Sequence, residues 1–126
     1  FSIMASILRV DTLTDASSNH SIATSVVFDG TAKVWGVVTS SASVTASANI
    51  ASGTDHGTGD YSYSLTAAFG SANHATTAVS SGAGAGRICT SNTARTSASV
   101  IAIEIEGHAG SSSDDNQELS THGDLA

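Results

Sequence analysis

The side chains that most often do chemistry are spread along this chain without a recognisable site. Each of the five histidines stands beside Asn, Asp, Gly or Thr, which is typical of exposed turns; they are His20, His56, His74, His108 and His122. The short motifs of zinc proteases, serine hydrolases and phosphate-binding loops do not occur in the sequence. Because catalysis needs several titratable groups that converge, the sequence predicts no catalytic residue and no enzyme.

Two acidic groupings could be mistaken for metal or acid sites. Asp55, His56 and Asp60 flank a glycine loop and could offer ligands to a cation, but the 12-residue calcium pattern does not occur there. Glu104 and Glu106 lie two residues apart on a predicted strand, where edge charges discourage wrong strand pairing. We therefore predict no metal ion, no cofactor and no acid pair of the glycosidase kind.

The aromatic residues, the cysteine and one asparagine suggest roles in core packing, subunit contact or modification. Trp35, Tyr61 and Tyr63 are predicted to lie in the core or in a subunit interface, and the two tyrosines share a strand face that could contact a glycan. Cys89 is the only cysteine, so it forms no internal disulfide and is predicted to be a small buried hydrophobe. Asn19 begins an Asn-His-Ser triplet, which fits the N-glycosylation pattern in an accessible segment.

Small and polar residues dominate the elements that must position these side chains. The 126 residues include no proline and four cations, carry a net charge of -7, and are 40% hydrophobic, much of it alanine. This length suits a single domain with a modest core. Four cations do not provide a basic surface for nucleic acid, and no run approaches the apolar length of a membrane helix. We predict neither nucleic-acid binding nor membrane insertion.

Alternating apolar residues predict an all-β fold. The clearest strand runs from Ser99 to Glu106, where Ile101, Ile103 and Ile105 share one face. Further strands are predicted at residues 22–28, 32–38, 44–50, 60–65, 76–80 and 87–91. Short strands at this spacing predict an antiparallel β-sandwich of the jelly-roll kind.

Turn signals separate these strands. Asp29-Gly30 predicts a hairpin, and the polar, glycine-containing residues 54–60 predict a loop. The glycine and alanine run at 81–86 predicts a flexible connection, because no helix follows it to form a phosphate-binding loop. From Gly107 onward the sequence is polar, with a final short strand or turn predicted around Leu119.

The N-terminal residues form an apolar arm that is followed by a polar linker. The candidate assembly residues in this arm are Ile3, Ile7, Leu8, Val10 and Leu13. Such a strand pairs its backbone either in its own sheet or in a groove of a neighbouring subunit. The linker of residues 14–21 could span about 25 Å when extended, so the second interpretation would polymerise the protein.

These boundaries give three predicted regions. Residues 1–21 are the N-terminal β-strand arm and polar linker, residues 22–110 are the β-sandwich body, and residues 111–126 are a polar C-terminal loop or tail.

Three blocks of the sequence resemble those of small bacteriophage tail-fibre-like virion proteins. They read ILRVDTLTDASSN at 7–19, GTAKVW at 30–35 and IASGTDHGTGDY at 50–61, in the same order as in that family. The resemblance covers residues 7 to about 69, and it implies a β-rich, non-enzymatic, oligomeric and often trimeric protein on a particle surface. The segment after Trp35 and the C-terminal residues depart from the family pattern, which leaves the assembly geometry open.

Together these expectations give one functional prediction and one alternative. The prediction is a structural subunit that polymerises with copies of itself into an extracellular fibre or phage tail-fibre-like appendage, its N-terminal strand paired with a neighbour. A contact of this kind that does not close into a ring produces an open fibre. The alternative is a receptor-binding or capsid-decorating virion protein that acts as a closed trimer and contacts a host-surface glycan or a capsid protein.

Overall fold

A computed structural model of the chain describes residues 7–82 and 86–126, which fall into two compact units, residues 1–31 and 32–126. Ile3 and residues 83–85 of the glycine and alanine run lie outside the described residues, so the predictions for them stay predictions. No helix in the described part of the chain has the length and apolar character needed to cross a membrane.

The N-terminal unit is a small hairpin followed by a short helix. Strand β1 (Thr12–Thr14) pairs antiparallel with β2 (Ser21–Ala23), and helix α1 (Thr24–Gly30) follows directly. The turn between the strands is closed by Asp15, whose carboxylate accepts the backbone N–H of Asn19 at 2.9 Å. The predicted polar linker is therefore a closed hairpin turn, and its two ends lie side by side.

The predicted strand at 22–28 and the predicted hairpin at Asp29-Gly30 are wrong. Only the first two residues of that segment belong to β2, and the rest forms α1, with Asp29-Gly30 as its last residues. The backbone N–H of Thr24 donates to Asp11 O at 2.9 Å and the Thr24 hydroxyl to Val10 O at 3.0 Å. These bonds mark where pairing with β1 ends, so the following residues satisfy their backbone groups within a helix.

The second unit is an antiparallel β-sandwich of two four-stranded sheets, which confirms the predicted all-β class. Its strands are β3 (Val34–Val38), β4 (Val44–Ala48), β5 (Ile50–Gly57), β6 (Asp60–Leu65), β7 (Ala75–Ser80), β8 (Ile88–Ser91), β9 (Val100–Glu106) and β10 (Gln117–His122). The first sheet has the order β4-β3-β10-β7, and the second has the order β5-β6-β9-β8.

The core lies between the inward faces of these sheets. Alternate residues of each strand point inward. The large buried apolar side chains are Val34, Val38 and Leu119 from the first sheet, Tyr61, Tyr63, Ile101, Ile103 and Ile105 from the second, and Phe69 from the segment between β6 and β7. The predicted isoleucine face of β9 is confirmed. Burying each large aliphatic side chain contributes roughly 1.5–3 kcal/mol.

Two segments predicted as loops are strands. Strand β5 continues to Gly57, so most of the predicted loop at 54–60 belongs to a hairpin whose tight turn is permitted by Gly59 at φ 72°. Within the predicted C-terminal loop or tail, the final short strand or turn that was predicted around Leu119 is a strand, β10, which pairs with β3 on one side and β7 on the other. Gln117 and Thr121 point inward beside Leu119, and these buried polar residues obscured the strand pattern in the sequence.

Alanine at position 53 should destabilise the sandwich. A Cβ on Gly53 would overlap the backbone carbonyl of Ala42, which is itself held at φ 59° in the turn before β4. Because backbone cannot rotate away as a side chain can, we expect Gly53→Ala to lower the free energy of unfolding by about 1–3 kcal/mol, measured by denaturant unfolding. The control is Gly70→Ala, where the nearest atom is Asp124 O at 3.8 Å. Equal midpoints for the two variants would contradict the prediction.

Candidate assembly surface

The N-terminal unit exposes nearly all of its apolar side chains. Of its described residues only Thr24 is even half-buried, and α1 has no buried residue. Eight large apolar side chains are exposed: Ile7, Leu8, Val10, Leu13, Ile22, Val26, Val27 and Phe28. A lone two-stranded hairpin is marginally stable at best, and helices shorter than about 12 residues rarely persist in water. A unit of this kind would gain stability from any surface that covered its apolar side chains.

Polar contacts in this unit hold the hairpin turn. The His20 ring lies 3.1 Å from the Asp15 carboxylate, and this hydrogen bond is the main cause that lowers the pKa of Asp15. Asn19 is exposed in the same turn, and its glycosylation stays a prediction. These residues shape the hairpin without covering its apolar side chains.

A second exposed apolar surface lies on the outer side of the first sheet. Trp35 and Val37 on β3 and Val79 on β7 are 45%, 38% and 53% exposed. The strand register places Glu118 of β10 between Val37 and Val79, and it places two alanines of β4 on the other side of β3. We call this surface the Trp35 face, made of Trp35, Val37, Ala46, Ala48, Val79 and Glu118.

The structure separates the three aromatic residues that the sequence grouped as core or interface. Tyr61 and Tyr63 are fully buried, so their shared face is not available to a glycan. The Tyr61 hydroxyl lies 2.9 Å from an Asp114 carboxylate oxygen and the Tyr63 hydroxyl donates to Gln117. Burial is the main cause that raises the pKa of both phenols, and Asp114 raises that of Tyr61 further. Trp35 alone of the three lies at the surface.

A buried ion pair ties the start of β10 to its neighbours. Asp115 lies 3.3 Å from the Arg87 guanidinium and accepts a hydrogen bond from the Ser80 hydroxyl. The same guanidinium donates to the Asp114 carbonyl at 2.6 Å. We call the group of Asp115, Arg87 and Ser80 the Asp115 clasp. Ser80 ends β7, Arg87 precedes β8 and Asp115 precedes β10. The clasp therefore joins the ends of three strands, which indicates a structural role.

Asp60 and Glu104 also make structural contacts. Asp60 pairs with Arg95 at 3.1 Å, and the Asn92 amide donates to both Asp60 and Glu104. The prediction of Glu104 as an edge charge is wrong, because β9 lies inside its sheet and Asn92 satisfies the carboxylate. Sequence reasoning missed Asn92, which lies in a turn with no charged or aromatic signal.

The candidate metal ligands do not converge. Asp55 accepts the N–H of Gly57 at 2.9 Å, while the His56 ring lies 2.8 Å from the Ser62 hydroxyl and Asp60 faces Arg95. Within residues 7–82 and 86–126 no three His, Cys, Asp or Glu side chains are grouped so that they could hold a metal ion. Cys89 is half-buried, and burial raises the pKa of its thiol.

Comparisons of the chain with protein-family models, with curated proteins and with solved structures each found no match.

Proposed function

We propose that this chain is a structural, non-enzymatic subunit that assembles with copies of itself, through its N-terminal unit, into an extracellular fibre or phage tail-fibre-like appendage. The observation that carries the proposal is the N-terminal unit, whose described residues 7–31 include eight exposed large apolar side chains and no buried residue. Its hairpin overlaps the first block that resembles tail-fibre-like virion proteins, residues 7–19.

The energy available from covering this unit favours assembly. Complete burial of one large apolar side chain contributes roughly 1.5–3 kcal/mol, so partial burial of eight would supply on the order of 10 kcal/mol before the entropic cost of association. Every molecule of this protein carries both the N-terminal unit and a body, so identical copies can serve as one another's partner. A repeated contact between the N-terminal unit of one copy and the body of the next would give a fibre.

A closed oligomer is the second candidate, and the Trp35 face favours it. An exposed tryptophan flanked by Val37 and Val79 on a sheet face is the kind of aromatic and aliphatic patch found in interface cores. On a virion, this face would dock onto a capsid protein or a host-surface glycan while three copies form a closed trimer.

Removing the apolar character of the arm tests the proposal. The test variant combines Ile7→Ser, Leu8→Ser, Val10→Ser and Leu13→Ser, and the control combines Asp11→Ser, Thr12→Ser and Thr14→Ser in the same segment. We expect the wild type and the control to form long assemblies in negative-stain images, and the test variant to sediment as a monomer with an unchanged β-sheet circular dichroism spectrum. These side chains are all exposed in the subunit, so neither variant removes body packing.

Three outcomes distinguish the candidates. Fibres of unchanged morphology from the test variant would show that the arm does not join subunits. A wild type that sediments as a discrete trimer at every concentration would favour the closed oligomer. A wild type that stays monomeric would overturn self-assembly altogether.

A further inference from the structure

The four edge strands of the sandwich differ in how well they are protected from pairing with another chain. Natural sheets blunt their edges with short strands, bulges and charges. Strand β5 has two register shifts, β8 has four residues, and β4 has a bulge opposite Val37 and Val38. Strand β7 has none of these features: its six residues pair with β10 in unbroken register and include no charge.

We infer that the free edge of β7 in one copy receives the arm segment, residues 7–13, of a second copy as an added strand. This inference rests on the proposed function and names the surface that accepts the arm. Residues 7–10 precede β1 and belong to no strand of their own unit. The Val10 carbonyl accepts the Thr24 hydroxyl, and the backbone groups of residues 7–9 are available to a sheet edge. Main-chain hydrogen bonds would supply affinity, and the alternating side chains would set the register.

The side chains of the segment suit the two sides of this edge. In an extended strand, Leu8 and Val10 point to one side, whereas Ile7 and Arg9 point to the other. Toward the sandwich interior, the inward side chains of β7 are small, and a crevice of about 30 Å³ lies between β7 and β8. Its lining is Thr76, Ala78, Cys89, Thr90, Ser91 and Ile103. Leu8 and Val10 would cover the mouth of this crevice.

The outer side offers a complementary charge. Glu118 is exposed, lies opposite Val79 of β7, and is not used in any of the three ion pairs of the described residues. Neighbouring strands lie about 4.8 Å apart, so Arg9 on an added strand would lie two strands from Glu118. A long guanidinium side chain reaches across that distance, over the exposed Val79.

A lysine on β7 tests the site, and a lysine on the opposite edge is its matched control. Thr77→Lys places a cation on the outer side of β7, beside the expected position of Arg9, where like charges on neighbouring strands repel. Thr45→Lys makes the same change at an exposed threonine of edge strand β4. We expect Thr77→Lys to raise the protein concentration needed for half-assembly by about fivefold or more, and Thr45→Lys to leave it at the wild-type value.

Charge reversal adds a test that can rescue assembly. Glu118→Lys should weaken assembly, and the double variant Glu118→Lys with Arg9→Glu should restore it.

Hydrogen exchange should show the β7 peptide, residues 75–80, protected in assemblies and the β4 peptide unchanged. If the arm serine variant abolishes assembly while Thr77→Lys matches Thr45→Lys, the arm binds elsewhere and this inference fails while the proposed function stands. A monomeric wild type would overturn both.

Discussion

Replacing Asp115 with alanine should lower the free energy of unfolding by about 3–5 kcal/mol, the range for removing one partner of a buried ion pair. Asp115 is 7% exposed, and its loss leaves the Arg87 guanidinium and the Ser80 hydroxyl without their common acceptor. The clasp also holds the entry to β10, the strand that joins β3 to β7. Denaturant unfolding followed by circular dichroism measures the loss.

A matched pair of arginine variants separates burial from charge. Arg87→Gln and Arg95→Gln remove the same charge from two ion pairs, but the Arg87 side chain is 23% exposed and that of Arg95 is 43% exposed. Exposed pairs contribute about 0–1 kcal/mol, so Arg95→Gln should unfold near the wild-type midpoint while Arg87→Gln unfolds well below it. Equal losses would show that the clasp is no more important than a surface pair.

The body of the fold could be predicted from the sequence wherever strand periodicity is carried by apolar residues. Strand β9 alternates three isoleucines with other residues, and β6 alternates two tyrosines with serines, so both were placed to within a residue. In each case the inward residues are large and apolar. The alternation that predicts the strand therefore comes from the same side chains whose packing stabilises it.

The failed and the incomplete predictions concern elements whose stabilising partners are distant in the sequence. Strand β10 buries Gln117 and Thr121, which is acceptable only because Tyr63 and Thr76 from other strands supply their hydrogen-bond partners. Helix α1 contains consecutive β-branched residues that favour a strand, but β1 is three residues long and ends the pairing. Local composition shows neither the distant hydrogen-bond partners of β10 nor the short length of β1.

The proposed assembly surface could be predicted from the sequence only in part, for a related reason. The apolar arm was visible in the sequence, since a run of large apolar side chains needs a partner wherever it folds. The surface that we propose as its partner depends on which strand becomes the unprotected edge and which aromatic side chain faces outward. Both follow from the strand order of the first sheet, β4-β3-β10-β7, which brings together residues that are far apart in the chain.

Alkaline unfolding should be the other large effect, because the two tyrosines of the chain, Tyr61 and Tyr63, are both fully buried. Burial raises the pKa of each in the folded state, whereas an unfolded tyrosine ionises near pH 10. The resulting stabilisation is fully present below about pH 10 and is lost as the pH rises toward the folded-state pKa. The free energy of unfolding should therefore fall steadily as the pH rises above about 10. Phenolate absorbance should therefore appear together with loss of β-sheet circular dichroism. Tyr63→Phe should halve the amplitude of the absorbance change. Phenolate absorbance that develops near pH 10 in a chain that stays folded would show that the hydroxyls reach solvent and that the buried Tyr61 and Tyr63 contacts do not form.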